Sequence, residues 1–69
     1  MKESFEIKGE YIELIKLLKA TGLCETGGMA KIVTEDGMVL VDGEVETTKR
    51  KKLKRGQIVR FEEHEILIK

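Results

Sequence analysis

A chain of 69 residues leaves room for one domain with a thin core, because a domain of this size buries only about 60% of the surface its unfolded chain exposes. One cysteine, Cys24, and one histidine, His64, exclude an internal disulfide and a Cys/His zinc cluster, so stability must come from packed secondary structure. The 13 basic and 13 acidic side chains cancel but are unevenly placed: residues 1–48 carry five basic and ten acidic groups, and residues 49–69 carry eight and three, which points to a polyanionic partner for the C-terminal third.

The segment Met1–Gly9 holds Glu3 and Glu6 and no apolar run, which speaks against a signal peptide. No stretch is long and apolar enough to span a bilayer. With a lone thiol, these features lead to the expectation of a monomeric cytoplasmic protein. Ser4-Phe5-Glu6-Ile7-Lys8 alternates polar and apolar residues and predicts a strand that buries Phe5 and Ile7 and is broken by Gly9. Tyr11, Leu14, Ile15 and Leu18 recur at i, i+3, i+4, i+7, the spacing of an amphipathic helix. Ile12 and Leu17 widen its stripe, and Glu13, Lys16 and Lys19 fall on the wet side. Gly22 suits the left-handed position after the last turn, so this helix is predicted to stop near Thr21, with Leu23 folding back onto it. Thr26 is a candidate N-cap for a second helix. Gly27 and Gly28 occupy its first turn, Met29, Ala30, Ile32 and Val33 follow, and Gly37 ends it.

Met38-Val39-Leu40-Val41 reads as an apolar strand, Asp42-Gly43 as a type I′ hairpin turn, and Glu44-Val45-Glu46 as the return strand. A basic run starts at Lys49, and Gly56 marks a turn. Ile58–Phe61 and Glu65–Ile68 form a second hairpin around Glu62-Glu63-His64. The order of strand, two helices and several strands predicts an α+β fold: two short helices packed on a small, mainly antiparallel sheet, all within a single domain over residues 1–69.

Six positive charges fall within Lys49-Arg50-Lys51-Lys52-Leu53-Lys54-Arg55. They repel one another unless phosphates neutralise them, and binding then also releases condensed counterions. The plainer alternative is a solvated loop or a strand edge protected from pairing. Leu53 interrupts the run and is expected to anchor it in the core. Thr26, Gly27 and Gly28 leave backbone N–H groups open at a helix start, where an anion is favoured and Lys31 lies one turn on; here the plainer reading is close packing of the second helix on the first. Lys16 and Lys19 project from similar faces of the first helix and either extend the basic surface or, with Lys16 beside Glu13, are ordinary wet-face residues. His64, read as the tip of a hairpin, lacks an orienting partner for chemistry. Cys24 precedes a helix start that would stabilise a thiolate, but no histidine stands near it to activate it. Phe5, Tyr11 and Phe61 are the only aromatic residues, and all three read as core or helix positions. That leaves no platform for stacking single-stranded bases, and it favours recognition by backbone and shape.

The pieces Leu14, Leu18, Gly22, Gly27-Gly28-x-Ala30-Lys31, Gly37, Val39-x-Val41-Asp42-Gly43, Glu46-Thr47, Lys49-Arg50 and Gly56-Gln57, taken together, resemble the S4-like RNA-binding domain, and within it the small stand-alone bacterial group usually labelled YaaA/YbcJ. The resemblance runs from about Tyr11 to Phe61. It implies a helix–helix–hairpin unit, the αL RNA-binding motif, that binds structured RNA such as rRNA or tRNA. Many such domains carry an arginine soon after the cap of the second helix; here Gly27 and Gly28 occupy that region, and Lys31 matches the basic position further along.

The sequence thus leads to a non-catalytic protein that binds structured RNA by phosphate and shape contacts, in ribosome assembly or translation. The RNA contacts expected are Lys16, Thr26, Gly27, Gly28, Lys31, Lys49, Arg50, Lys51, Lys52, Lys54 and Arg55. No cofactor, metal or small-molecule substrate is expected. The alternative is a protein–protein adaptor that docks on a ribosomal or replication protein through its acidic half and short apolar edges.

Overall fold

The structure, a computed structural model, describes residues 2–69. Its elements in chain order are β1 (Lys2–Phe5), β2 (Ile12–Glu13), α1 (Leu14–Ala20), α2 (Gly27–Glu35), β3 (Val39–Val41), β4 (Glu44–Val45), β5 (Lys52–Leu53), β6 (Ile58–Phe61) and β7 (His64–Ile68). Strand alternation builds the larger sheet, of order β1-β7-β6-β3-β4, while β2 and β5 form a separate two-stranded ribbon. All pairings in the larger sheet are antiparallel except β1 with β7. Period-2 alternation sends Val39, Val41, Val59, Phe61, Ile66 and Ile68 to one face, where they share a core with Leu14, Leu17, Leu18, Ala30 and Val33 of the two helices. Each fully buried Leu, Ile or Val contributes about 1.5–3 kcal/mol of hydrophobic stabilisation. Thr34 is the buried polar residue of α2, and it is satisfied: its hydroxyl donates to the Ala30 carbonyl at 2.7 Å.

Both helices stop where the glycines stand. At the end of α2 the Gly37 N–H donates to the Thr34 carbonyl and the Met38 N–H to the Val33 carbonyl, the paired bonds of a Schellman motif, with Gly37 at φ +77°. At its start the Thr26 hydroxyl accepts from the Met29 N–H at 3.1 Å, the expected N-cap. The Asp42-Gly43 turn has φ of +52° and +85°, as a type I′ hairpin requires.

The structure differs from the sequence reading at several boundaries. The first strand is Lys2–Phe5, not Ser4–Lys8. Its ladder ends at the Phe5–Ile68 pair because β7 stops there, yet Ile7 is still buried and its N–H reaches the Lys69 carbonyl. The first helix begins at Leu14 and leaves out Tyr11 and Ile12. Ile12 and Glu13 pair instead with Leu53 and Lys52, so a long-range ladder overrides helical spacing. Met38 caps α2 and does not enter β3. His64 is not a hairpin tip. Glu62 and Glu63 make the turn, with Glu62 at φ +56°, and His64 opens β7 with its Nδ1 3.4 Å from the Glu3 carboxylate on β1. It faces a carboxylate without a hydrogen bond to it, its Nδ1 being buried and unpaired in that sense, and the described residues hold no group of three metal-ligating side chains.

Candidate functional site

The basic run is not a free loop. Leu53 is fully buried, and its pairing with Ile12 seats β5 against β2. In this ribbon Ile12 and Leu53 turn toward the core, so the solvent face carries Tyr11, Glu13, Lys52 and Lys54. On the N-terminal side of the ribbon, the carbonyls of Lys51 and Lys49 accept the N–H groups of Leu14 and Ile15 at 2.9 and 3.1 Å. These are the first amides of α1, which has no side-chain cap; the basic segment itself supplies the missing acceptors. A Lys51 N–H to Thr48 carbonyl bond tightens the intervening turn, and Glu46 accepts the Thr48 N–H.

On the other side, Gln57 fastens the run to the first hairpin. Its Oε1 accepts the Lys54 N–H at 2.8 Å and its own N–H donates back to the Lys54 carbonyl. Its Nε2 donates to Asp42 Oδ2 at 3.1 Å, while Asp42 Oδ1 accepts the Ile58 N–H at 2.9 Å. These donors, the Ile58 N–H first and Gln57 second, hold the Asp42 carboxyl below its ordinary value, with Lys51 adding to the effect. The folded-state value is therefore lower than the unfolded one. The stabilisation is complete above about pH 4, where the unfolded carboxyl titrates, and is lost as pH falls through the folded value. Asp42→Asn keeps tolerance of the left-handed turn but carries no charge. Its urea midpoint is expected to fall less than that of the wild type between about pH 6 and about pH 3. An equal fall in both proteins would show that Asp42 contributes nothing to acid sensitivity.

The predicted site residues divide into two groups. Arg50, Lys51, Lys52, Lys54 and Arg55 are exposed and Lys49 is half-buried. None of the six lies within 4 Å of a carboxylate of the described residues. Arg55 is partly committed to the fold, since its Nη2 donates to the Ile7 carbonyl at 3.2 Å. The Lys52 ammonium sits 5.0 Å from the centroid of the Tyr11 ring, within cation–π range. Lys16, on the first turn of α1, is 3.8 Å from the half-buried Glu13; a pair of this kind at the surface is worth at most about 1 kcal/mol.

Thr26, Gly27, Gly28 and Lys31 make up the second group, at the start of α2. Lys19 borders it: its Cδ would be 3.8 Å from a Cβ placed on Gly27. A Cβ on Gly28 would meet only the Thr26 hydroxyl, also at 3.8 Å. Close helix packing therefore does not require either glycine. The two groups lie at opposite ends of α1, whose axis spans about 9 Å, and no hydrogen bond or ion pair among the described residues joins them.

Sequence reasoning missed Tyr11. Its spacing to Leu14 and Leu18 resembled a helical stripe, but the residue is 43% exposed and stands outside the helix. No local signal marked the segment as a strand: Tyr11 and Ile12 are adjacent apolar residues, and the pairing of Ile12 and Glu13 with Leu53 and Lys52 is long-range. Cys24 goes the other way. It is buried, and burial first and the Glu62 charge second push its thiol up, so the helix start does not make it a reactive thiolate.

Residues 5–69 match the family model described as the S4 domain. YbcJ of Escherichia coli (strain K12), provisionally named an RNA-binding protein, is 46% identical over 61 residues, which cover 88% of this chain and 87% of the relative. YbcJ of Shigella flexneri, named as uncharacterized, matches with the same identity and coverage. The solution structure of E. coli YbcJ superposes with a TM-score of 0.72 at 44% identity, covering 94% of this chain and 84% of the other. That structure is described as revealing an αL motif involved in RNA binding.

Proposed function

The chain belongs to the S4 domain family, and from that premise we propose that it is a single, non-catalytic RNA-binding unit that grips structured RNA, rRNA or tRNA, through its phosphate backbone and shape. One observation carries the reading. The segment that carries six cations is fixed to the fold by main-chain bonds at Lys49, Lys51 and Lys54 and by the buried Leu53, and no carboxylate of the described residues lies within 4 Å of any of the six, Asp42 reaching Lys51 only at longer range. The backbone that carries them is ordered before binding, so only the side chains remain to be ordered on the RNA, against the gain from counterion release.

Lys49, Arg50, Lys51, Lys52 and Lys54 make the phosphate contacts. Arg55 joins them with the guanidinium N–H groups that Ile7 leaves free, since the group has five donors in all. Lys16 extends this patch along α1. Thr26, Gly27, Gly28 and Lys31 offer a second phosphate contact through the open amides of α2. Folded RNA suits this pattern because an A-form surface displays phosphates and 2′-hydroxyls more readily than readable base edges. The role is in ribosome assembly or translation in the cytoplasm, with the protein acting as a monomer.

Crosslinking in cells followed by sequencing of the attached nucleic acid tests the reading. Enrichment of rRNA or tRNA supports it; a library no different from an uncrosslinked control sinks it.

A second reading, docking on a ribosomal or replication protein, draws on a different surface. The helices cover one face of the sheet, and on the other Val45, Ile58 and Leu67 are exposed. If partner proteins stay bound to the chain after nuclease treatment, and Ile58→Lys releases them without changing RNA affinity, that face has its own role.

A further inference from the structure

The geometry points to Tyr11 as a stacking platform for one unpaired base of the RNA, set beside the cations that hold the neighbouring phosphates. The inference rests on the RNA-binding reading above and adds to it a preference for RNA with a flipped or bulged nucleotide.

Three observations converge on this ring. The first is its place. Tyr11 immediately precedes β2, on the solvent face of a ribbon whose other strand is the centre of the basic run. Continuing the Ile12–Leu53 register by one residue sets Tyr11 opposite Lys54, and Glu13 on the same face is drawn toward Lys16. The second is exposure. A large aromatic residue that is 43% exposed contributes less to the core than Phe61 on β6, which is 2% exposed. Tyr11 is thus the aromatic side chain of the basic surface. The third is charge and space. The Lys52 ammonium lies over one face of the ring, 5.0 Å from its centroid. The ring also lines an open cleft of about 280 Å³ with Phe5, Glu6, Ile7, Lys8 and Ile12. Arg55 is tied to the Ile7 carbonyl on that same wall.

An aromatic ring inside a cationic track is the arrangement that holds a base by its π-face and the adjoining phosphates by charge. Bases within a continuous duplex already stack on their neighbours on both sides. Away from the duplex ends, only a bulged, looped or flipped base can reach the ring. The recognition is tolerant of base identity, since every base has a π-face, and it depends on local RNA shape.

The chain has one tyrosine and no tryptophan, so the ultraviolet-excited emission of the folded protein comes from Tyr11. The probes are a blunt RNA duplex and the same duplex with one bulged adenosine, each titrated at low salt. The expected result is quenching of Tyr11 emission by the bulged RNA and little by the blunt one. Tyr11→Leu is expected to weaken binding of the bulged duplex about tenfold, within the range for loss of a stacked base, and of the blunt duplex less than about twofold. Its melting temperature should stay close to that of the wild type. Tyr11→Phe, which keeps the ring, should bind the bulged duplex like the wild type. Binding of both RNAs without quenching, or an equal loss for both in Tyr11→Leu, overturns the stacking role and leaves the phosphate reading standing. If neither RNA binds at all, the RNA-binding reading itself is overturned, and the inference with it.

Discussion

Lys49→Ala/Arg50→Ala/Lys51→Ala is expected to weaken RNA binding roughly a hundredfold at about 0.1 M salt and to flatten the plot of log affinity against log salt by about 2–2.7. Each phosphate contact releases about 0.7–0.9 of a counterion, and at about 0.1 M salt each release is worth a little under one decade of affinity. Three contacts together give about two decades. The variant should fold normally. Arg50 and Lys51 are exposed and Lys49 is half-buried, and the bonds from this stretch to the amides of α1 come from main-chain carbonyls, which alanine retains. A salt titration of wild type and variant against the same RNA is the measurement. If affinity and slope both stay where they were, phosphate neutralisation by this segment is wrong, whatever the fold.

Leu53→Ala is expected to produce the largest loss of stability among changes within the basic segment. The side chain is fully buried in the shared core. Truncating a buried leucine costs about 2–5 kcal/mol through lost transfer energy and the cavity left behind. For a domain of 60–100 residues each kcal/mol lowers the melting temperature by about 4–8 °C, so the midpoint should drop by roughly 10–30 °C. A domain this small holds few kcal/mol in reserve, so a noticeable unfolded fraction at physiological temperature follows. Ile58→Ala, on the exposed face of the sheet, serves as the control and should cost far less. Below its own midpoint Leu53→Ala should still lose RNA affinity, because β5 carries Lys52 and sets the line of its neighbours. A midpoint within about 4 °C of the wild type, less than about 1 kcal/mol of stability, would mean that Leu53 does not seat the ribbon.

Charge and anchoring, which these two variants separate, are mixed in the bare sequence. Lys49–Arg55 is conspicuous as a string of residue types, and the charge split along the chain singles it out without any structure. The string does not show whether those cations are held in place. That depends on Gln57 bonding to Asp42 fifteen residues earlier and on Arg55 reaching the Ile7 carbonyl across 48 positions. Nothing local marks either bond.

What the residues determined unaided was the local grammar. Thr26 capped α2, Gly37 ended it, Asp42-Gly43 turned the first hairpin and Leu53 went inward, because caps, left-handed glycines and period-2 alternation act within a few residues. The residues that carry the S4 resemblance are of this local kind, and the fold they implied is the one observed. Tertiary structure alone decided the rest: that Tyr11-Ile12-Glu13 serves a ribbon and not a helix, that β1 lies parallel to β7, and that His64 faces Glu3. In each case a partner distant in the chain overrode a modest local preference. A backbone ladder or a buried side chain packed across the fold outweighs the few tenths of a kcal/mol by which neighbouring conformations differ.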